Sequence, residues 1–256
     1  MKDVQNQADI RGVEIQKVGI KDFELPIVIQ RKDAENKVIY ASATCGVSLP
    51  AHYKGTHMSR FVEVLNEWRE EKTLDIRDCV EKMVEKLEAK SGYLKFDFKY
   101  FIDKKSPVTK LSFPMAYDCS FEGNLNGENY KFTLGVKVPV ATLCPCSKEI
   151  SNYGAHNQRA IVSVKVTYPE DEHVWIEDLI SKIEKTASSE LYPLLKREDE
   201  KFVTEHAYDN PKFVEDVLRD VVLALREDDK IDSFEVECES LESIHNHSAW
   251  AYQQEG

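Results

Sequence analysis

Apolar residues recur at short alternating intervals over residues 25–29 and again over 38–49, many of them β-branched, with a polar stretch at 32–37 between them. Alternation with period two predicts two strands, and the polar break predicts the turn of a hairpin. The period then changes. Met58, Phe61, Val62, Leu65 and Trp68 share one helical face, as do Ile76, Val80, Met83, Val84 and Leu87, with Gly92 expected as the stop past the second helix. Residues 93–102 and 108–121 return to alternation on either side of the connection 103–107, which predicts two further strands.

The second half repeats this order. Residues 130–140 and 160–168 read as strands, 176–195 and 213–225 as helical stretches, 231–238 as a strand and 247–253 as a shorter extended segment. Each half therefore predicts β-β-α-α-β-β, an internal repeat whose period is about half the chain. The expected class is α+β: a first module over 25–125 and a second over 126–256, each an antiparallel sheet with a helix pair on one face, preceded by a polar arm over 1–24.

With 256 residues the chain is long enough to bury a core without disulfide staples. Its 46 acidic residues exceed the 34 basic ones, and a formal charge of −12 repels a phosphate backbone, so no nucleic-acid partner is expected. The polar first residues lack the apolar centre of a secretion signal and no apolar run approaches a bilayer span. A cytoplasmic protein with no membrane partner is expected, its six cysteines present as thiols. Only Cys144 and Cys146 stand close together; Cys45, Cys79, Cys119 and Cys238 fall in predicted strands or helices and read as small buried apolar residues.

The longest connection of the second half, between Val140 and Arg159, concentrates Cys144, Cys146, Lys148, Glu149 and His156. A loop of this length inside a compact fold is commonly functional. Thiolate, imidazole and carboxylate are the ligands of a divalent transition metal, and a catalytic site keeps three of them with a fourth position open for water. A bare Cys-x-Cys is weak evidence by itself and is also compatible with two ordinary buried thiols.

Leu-Cys-Pro-Cys-Ser-Lys-Glu-Ile-Ser over 143–151, followed by Gly-Ala-His-Asn-Gln-Arg over 154–159, resembles the signature of type IB GTP cyclohydrolases, the metal-dependent GTP cyclohydrolases I of the tunnelling-fold (T-fold) superfamily. Three further segments agree with it: Gly-Thr-His-Met-Ser-Arg-Phe at 55–61, the run from Asp-Glu-Lys at 199–201 to Asn-Pro-Lys-Phe-Val-Glu-Asp at 210–216, and Glu-Ser-Ile-His-Asn-His-Ser at 242–248. The resemblance implies tandem ββααββ T-fold modules and conversion of GTP and water to 7,8-dihydroneopterin triphosphate and formate. It implies Cys144, His156 and Glu200 as ligands of manganese, ferrous iron or zinc, with no organic cofactor, and it leaves Glu198 as the alternative to Glu200. Cys146 is expected beside the site rather than on the metal. His245 is the implied proton shuttle, with Glu242 as its orienting partner, and Glu215 the implied anchor for guanine. Lys148, Arg60, Arg159 and His57 are candidates for the triphosphate. A homotetramer with active sites at subunit boundaries is implied as well. Two alternatives stay open from sequence: a T-fold nitrile reductase using a Cys nucleophile and a nicotinamide cofactor, and a metal- or purine-binding module without turnover.

Overall fold

The computed structural model of the chain describes residue 5, residues 7–71 and residues 75–256. In chain order these form β1 (Ile15–Arg31), β2 (Ala34–Leu49), α1 (Met58–Glu70), α2 (Ile76–Lys86), β3 (Ser91–Lys105), β4 (Ser112–Asn126), β5 (Asn129–Leu143), α3 (Pro145–Ile150), β6 (Asn157–Thr167), α4 (Ile176–Glu184), β7 (Ser189–Glu190), α5 (Arg197–Asp209), α6 (Val214–Arg226), β8 (Ser233–Ser240) and β9 (Ala249–Glu255). Among the described residues no helix is long and apolar enough to cross a membrane.

The chain divides into two compact units, residues 1–99 with 120–134 and residues 100–119 with 135–256. This differs from a division at 125/126. The boundaries between the units fall within β3, β4 and β5, each of 15 residues. Of the arm expected over 1–24, residues 1–4 and 6 lie outside the described residues, and from Ile15 onward it is strand.

In the first unit β1 pairs antiparallel with β2 through registers such as Leu25 to Ala41 and Ile27 to Ile39, and β2 pairs with β3 through Ala43 to Phe96. The hairpin turns at Asp33, whose positive φ of 54° is one that Asp tolerates. Helices α1 and α2 bury Phe61, Val64, Leu65 and Trp68, and Ile76, Cys79, Val80 and Met83. The Trp68 ring stacks on Phe96 at 5.4 Å while its indole N–H donates to Asp75 O at 2.8 Å. Gly92 does not stop α2, which ends at Lys86 with Glu88 in the left-handed conformation. Gly92 lies in β3, where a Cβ would meet Val84 Cγ2 at 2.6 Å and Val80 Cγ1 at 2.8 Å. A glycine is needed there because helix and strand approach too closely for any side chain.

In the second unit β6 pairs with β8 and β8 with β9, and β7 pairs with β5. Ala160, Val162, Val164 and Val166 stand opposite Ser240, Cys238, Val236 and Phe234, and all eight are buried. Alternation puts these residues on one face. The helices bring Ile176, Leu179, Ile180 and Ile183 from α4, and Val214, Val217, Val221, Val222 and Leu225 from α6, into the buried core. The helical stretch expected over 176–195 ends early, at Glu184. Hydroxyls take over the backbone groups there: Thr186 Oγ1 donates to Ile183 O, and Ser188 Oγ accepts from Leu143 N. Helix α5 has no counterpart among the expected elements because only Asp199 and Ala207 of its residues are buried, too few to print a helical period.

Candidate functional site

The loop between β5 and β6 closes on itself. Cys144 N–H donates to His156 O at 3.1 Å, Ser147 Oγ donates to Cys144 O at 3.1 Å and accepts from His156 N at 3.2 Å. Pro145 at the first position of α3 suits a residue without an N–H, and Cys144 becomes the helix cap, its Sγ accepting from Ser147 N at 3.4 Å. The backbones of Cys144 and His156 are thus tied together, and both residues are half-buried, whereas Cys146 is exposed. The His156 ring is itself held: Nδ1 lies 2.9 Å from Gln158 Oε1, and Gln158 Nε2 donates to Thr142 Oγ1 at 3.3 Å.

Three other segments reach this loop. Lys212 N donates to Leu143 O at 3.0 Å, and Asn210 Nδ2 donates to Ala187 O at 2.9 Å, which seats the start of α6 beside the Cys144 loop. Glu215, in the first turn of α6, is exposed and, among the described residues, makes no hydrogen bond or ion pair. The Lys148 ammonium donates to Tyr208 O and lies 4.2 Å from the centre of the Tyr208 ring, so it clips the loop to the last turn of α5. Leu241 N donates to Arg159 O at 2.8 Å, which continues the β6–β8 pairing outward and leads the 242–248 segment away from the strand that follows His156.

The remaining candidates fall less simply. Glu242 Oε1 accepts from Ser240 Oγ at 3.1 Å and makes no bond to His245, whose exposed ring instead stacks on His247 at 5.0 Å. Arg159 presents an exposed side chain that, among the described residues, is engaged by nothing. Arg60 and His57 belong to the first unit. Arg60 Nη1 donates to Lys86 O at 3.1 Å, capping the end of α2, and His57 is the half-buried residue that precedes α1. Two of the four triphosphate candidates, Lys148 and Arg60, therefore hold helix ends.

Glu198 and Glu200 are both exposed on α5, and among the described residues no three His, Cys, Asp or Glu side chains gather as a metal-holding group. Cys144 and His156 are assembled; Glu200 does not close on them. The acid between the two glutamates is the one the fold has taken: Asp199 is fully buried and accepts from Val108 N at 2.8 Å, Thr109 N at 2.9 Å, Thr109 Oγ1 at 2.7 Å and Lys196 N at 2.9 Å. Burial opposes its charge, but these bonds outweigh it and hold the carboxyl well below the usual carboxylate range. Cys45 and Cys238 are sealed in the core, where burial pushes each thiol up to about 12.

Sequence reading missed two features. Gln158 was visible only as a motif letter, although its spacing of two from His156 on extended chain is the signal for a shared side. The other is a cavity of about 600 Å³ in the second unit. In its wall Lys104 Nζ donates to Glu184 Oε1 at 2.5 Å and pairs with Glu190 Oε2 at 3.0 Å, and Tyr117 OH donates to Glu184 Oε1 at 2.8 Å. Nothing local marks such a pair, since Lys104 and Glu184 stand 80 residues apart.

Residues 1–251 match the family described as type I GTP cyclohydrolase folE2. GTP cyclohydrolase FolE2 of Geotalea uraniireducens (strain Rf4) is 52% identical over 252 residues, covering 98% of this chain and 92% of the relative. The FolE2 of Geobacter sulfurreducens is 50% identical over the same 98% of this chain and 96% of its own. Among solved structures, a uricase from Arthrobacter globiformis superposes with a TM-score of 0.55 at 8% identity, covering 93% of this chain and 92% of the uricase. At that identity the likeness is one of fold alone, the α+β class with antiparallel sheet that the T-fold expectation named.

Proposed function

The chain belongs to the type I GTP cyclohydrolase FolE2 family, and on that premise we propose that it works as the metal-dependent type IB enzyme, converting GTP and water to 7,8-dihydroneopterin triphosphate and formate at the start of pterin and folate synthesis. One observation supports the assignment of the site above the others: the Cys144 N–H bond to His156 O, which ties together the backbones of the thiol- and imidazole-bearing residues of one loop. Family membership also removes the nicotinamide-dependent reductase and the module without turnover.

The donors fit a divalent transition metal. A thiol and an imidazole whose second nitrogen is already held by Gln158 supply two donors of the right kind, and the Glu200 carboxylate on α5, which does not close on them here, would complete a three-ligand set. One carboxylate in place of a second thiolate suits manganese or ferrous iron as well as zinc. When bound, such a metal lowers the pKa of a coordinated water toward neutrality and so supplies the nucleophile for C8 of guanine. Opening of the imidazole ring and departure of formate require protons to move, and the exposed imidazole of His245, on the segment led out by Arg159 and Leu241, carries them. Glu242 is held by Ser240, so it orients the base of that segment rather than the ring itself.

Glu215 offers two acceptors in a fork to the guanine N1–H and 2-amino group, and among the described residues no other partner takes its oxygens. Glu215→Gln replaces one acceptor by a donor. GTP affinity is expected to fall by about 1–3 kcal/mol, read by titration calorimetry on metal-free protein; unchanged affinity would remove Glu215 from the base site. Arg159, whose side chain is engaged by nothing among the described residues, is the candidate of the second unit for the triphosphate, where Lys148 fixes the loop; His57 is the candidate of the first unit, where Arg60 fixes α2.

The protein is a cytoplasmic homotetramer in this proposal. Among the described residues β1 pairs only with β2 and β9 only with β8. Free edges invite pairing with another chain, and ring closure between chains removes them. Active sites then lie in walls shared by subunits. Incubation with GTP and manganese, followed by assay for formate and for a fluorescent pterin after oxidation, tests the chemistry. Sedimentation in the same buffer is expected to give four chains. Neither product, with metal bound, would refute the function, and a fully active monomer would refute the shared site.

A further inference from the structure

An amide oxygen accepts and cannot donate, so the hydrogen between His156 Nδ1 and Gln158 Oε1, 2.9 Å apart, belongs to the imidazole. With this contact in place a neutral ring is the Nδ1–H tautomer, with the lone pair on Nε2. Gln158 is in turn fixed by the bond from its amide nitrogen to Thr142 Oγ1, and Thr142 is 1% exposed, on β5 next to the buried Leu143. A line of bonds therefore runs from the interior of the second unit, through one glutamine, to the ring. Gln158 lies at the start of β6 and His156 immediately before that strand, two residues apart, a spacing that in extended chain puts both side chains on the same side.

We infer that Gln158 is a positioning residue: it holds His156 as the Nδ1–H tautomer and leaves Nε2 bare for the metal beside Cys144. This rests on the proposed role of His156 as a ligand. An imidazole that binds metal commonly donates its other N–H to a fixed acceptor, and removal of that acceptor typically weakens metal binding about 10- to 100-fold. A free histidine ring distributes its proton between both nitrogens and rotates, so each binding event would have to select one arrangement. The Thr142–Gln158 pair makes that selection in advance. Neutral amide and not carboxylate performs it, which keeps the ring anchored without adding a further negative charge to a site already holding a thiol and intended for an anionic substrate.

The test uses the full-length protein and metal ion alone. Affinity for Mn²⁺ or Zn²⁺ is measured by competition with a chelating dye, and the tautomer of His156 is read from ¹⁵N spectra of metal-free protein labelled at histidine. Gln158→Leu is expected to raise the dissociation constant about 10- to 100-fold and to mix the two tautomers, while Gln158→Glu, which still accepts from Nδ1–H, restores both readouts. A merely structural role for Gln158 would leave the tautomer where it was. His156→Ala is the control for the underlying ligand assignment: full metal affinity in that variant refutes the ligand role itself. Loss of metal in His156→Ala, together with unchanged affinity and tautomer in Gln158→Leu, overturns the positioning role alone. The wild-type spectrum tests that role without requiring any variant to fold, since an Nε2–H tautomer there also overturns it.

Discussion

Replacing Cys144 or His156 by Ala is expected to abolish bound metal and GTP turnover together while leaving the chain folded. Without the ion the enzyme loses the lowered pKa of the attacking water and the associated charge stabilisation, several kcal/mol in all, on the order of a thousandfold or more in rate at 1.36 kcal/mol per tenfold. Folding is spared because neither residue belongs to the buried core: both are half-buried in a connection between β5 and β6, and the hydrogen bond that joins them runs through backbone atoms that alanine retains. Metal content by mass spectrometry, formate release and circular dichroism on the same samples check the three parts. Turnover by a metal-free Cys144→Ala protein would end the metal hypothesis.

Glu184→Leu is expected to be the most damaging change to stability. Among the described residues it leaves the Lys104 ammonium, 8% exposed, with the half-exposed Glu190 and the Tyr192 ring. Breaking a buried pair from one side costs about 3–5 kcal/mol, whereas replacing both partners by apolar residues is neutral or favourable. The double variant Lys104→Met with Glu184→Leu should therefore recover most of the loss in chemical denaturation, and failure to recover would show that the pair does more than neutralise itself. The pH dependence has a defined sign. Burial raises the Glu184 carboxyl above its ordinary value, against the opposing pull of Lys104 and Tyr117. A raised carboxyl contributes stability at pH below its unfolded value and loses that contribution as pH climbs through the raised folded value. Asp199, depressed by its hydrogen bonds, does the reverse: its contribution is present above the unfolded value and disappears as pH falls.

Hydrophobic period located the β1–β2 hairpin, both helices of the first unit and α6, because each of these elements buries one face against its own unit and the pattern is written in the residues that do so. It failed where burial is sparse or where the decisive contact is distant. Helix α5 offers a nearly polar surface and so no stripe to detect. Gly92 reads locally as a helix stop, and only the closeness of Val80 and Val84 shows it to be a spacer within β3. In the site, the Cys144–His156 pairing was legible because both lie in one loop. The clip from Lys148 to Tyr208 and the cap from Arg60 to Lys86 were not, since a cation drawn in sequence looks the same whether it meets a phosphate or a carbonyl. The Glu242 to Ser240 bond belongs to the same class: proximity in a motif suggested His245 as partner, and a nearer hydroxyl took the carboxylate.

The clasp around Asp199 bears on how this stretch varies among related chains. Three consecutive charged residues, Asp199, Glu200 and Lys201, look alike as letters, yet one is fully buried on Thr109 and the other two face solvent. Two of its four bonds come from the backbone and hydroxyl of Thr109 itself. Drift at one of these two positions is therefore tolerable only with an answering change at the other, so that a lineage that loses the acid should lose the hydroxyl as well. Correlated substitution between positions 90 apart would then record a structural clasp, and would be misread as shared catalytic duty by anyone who counted the whole acidic cluster as active site.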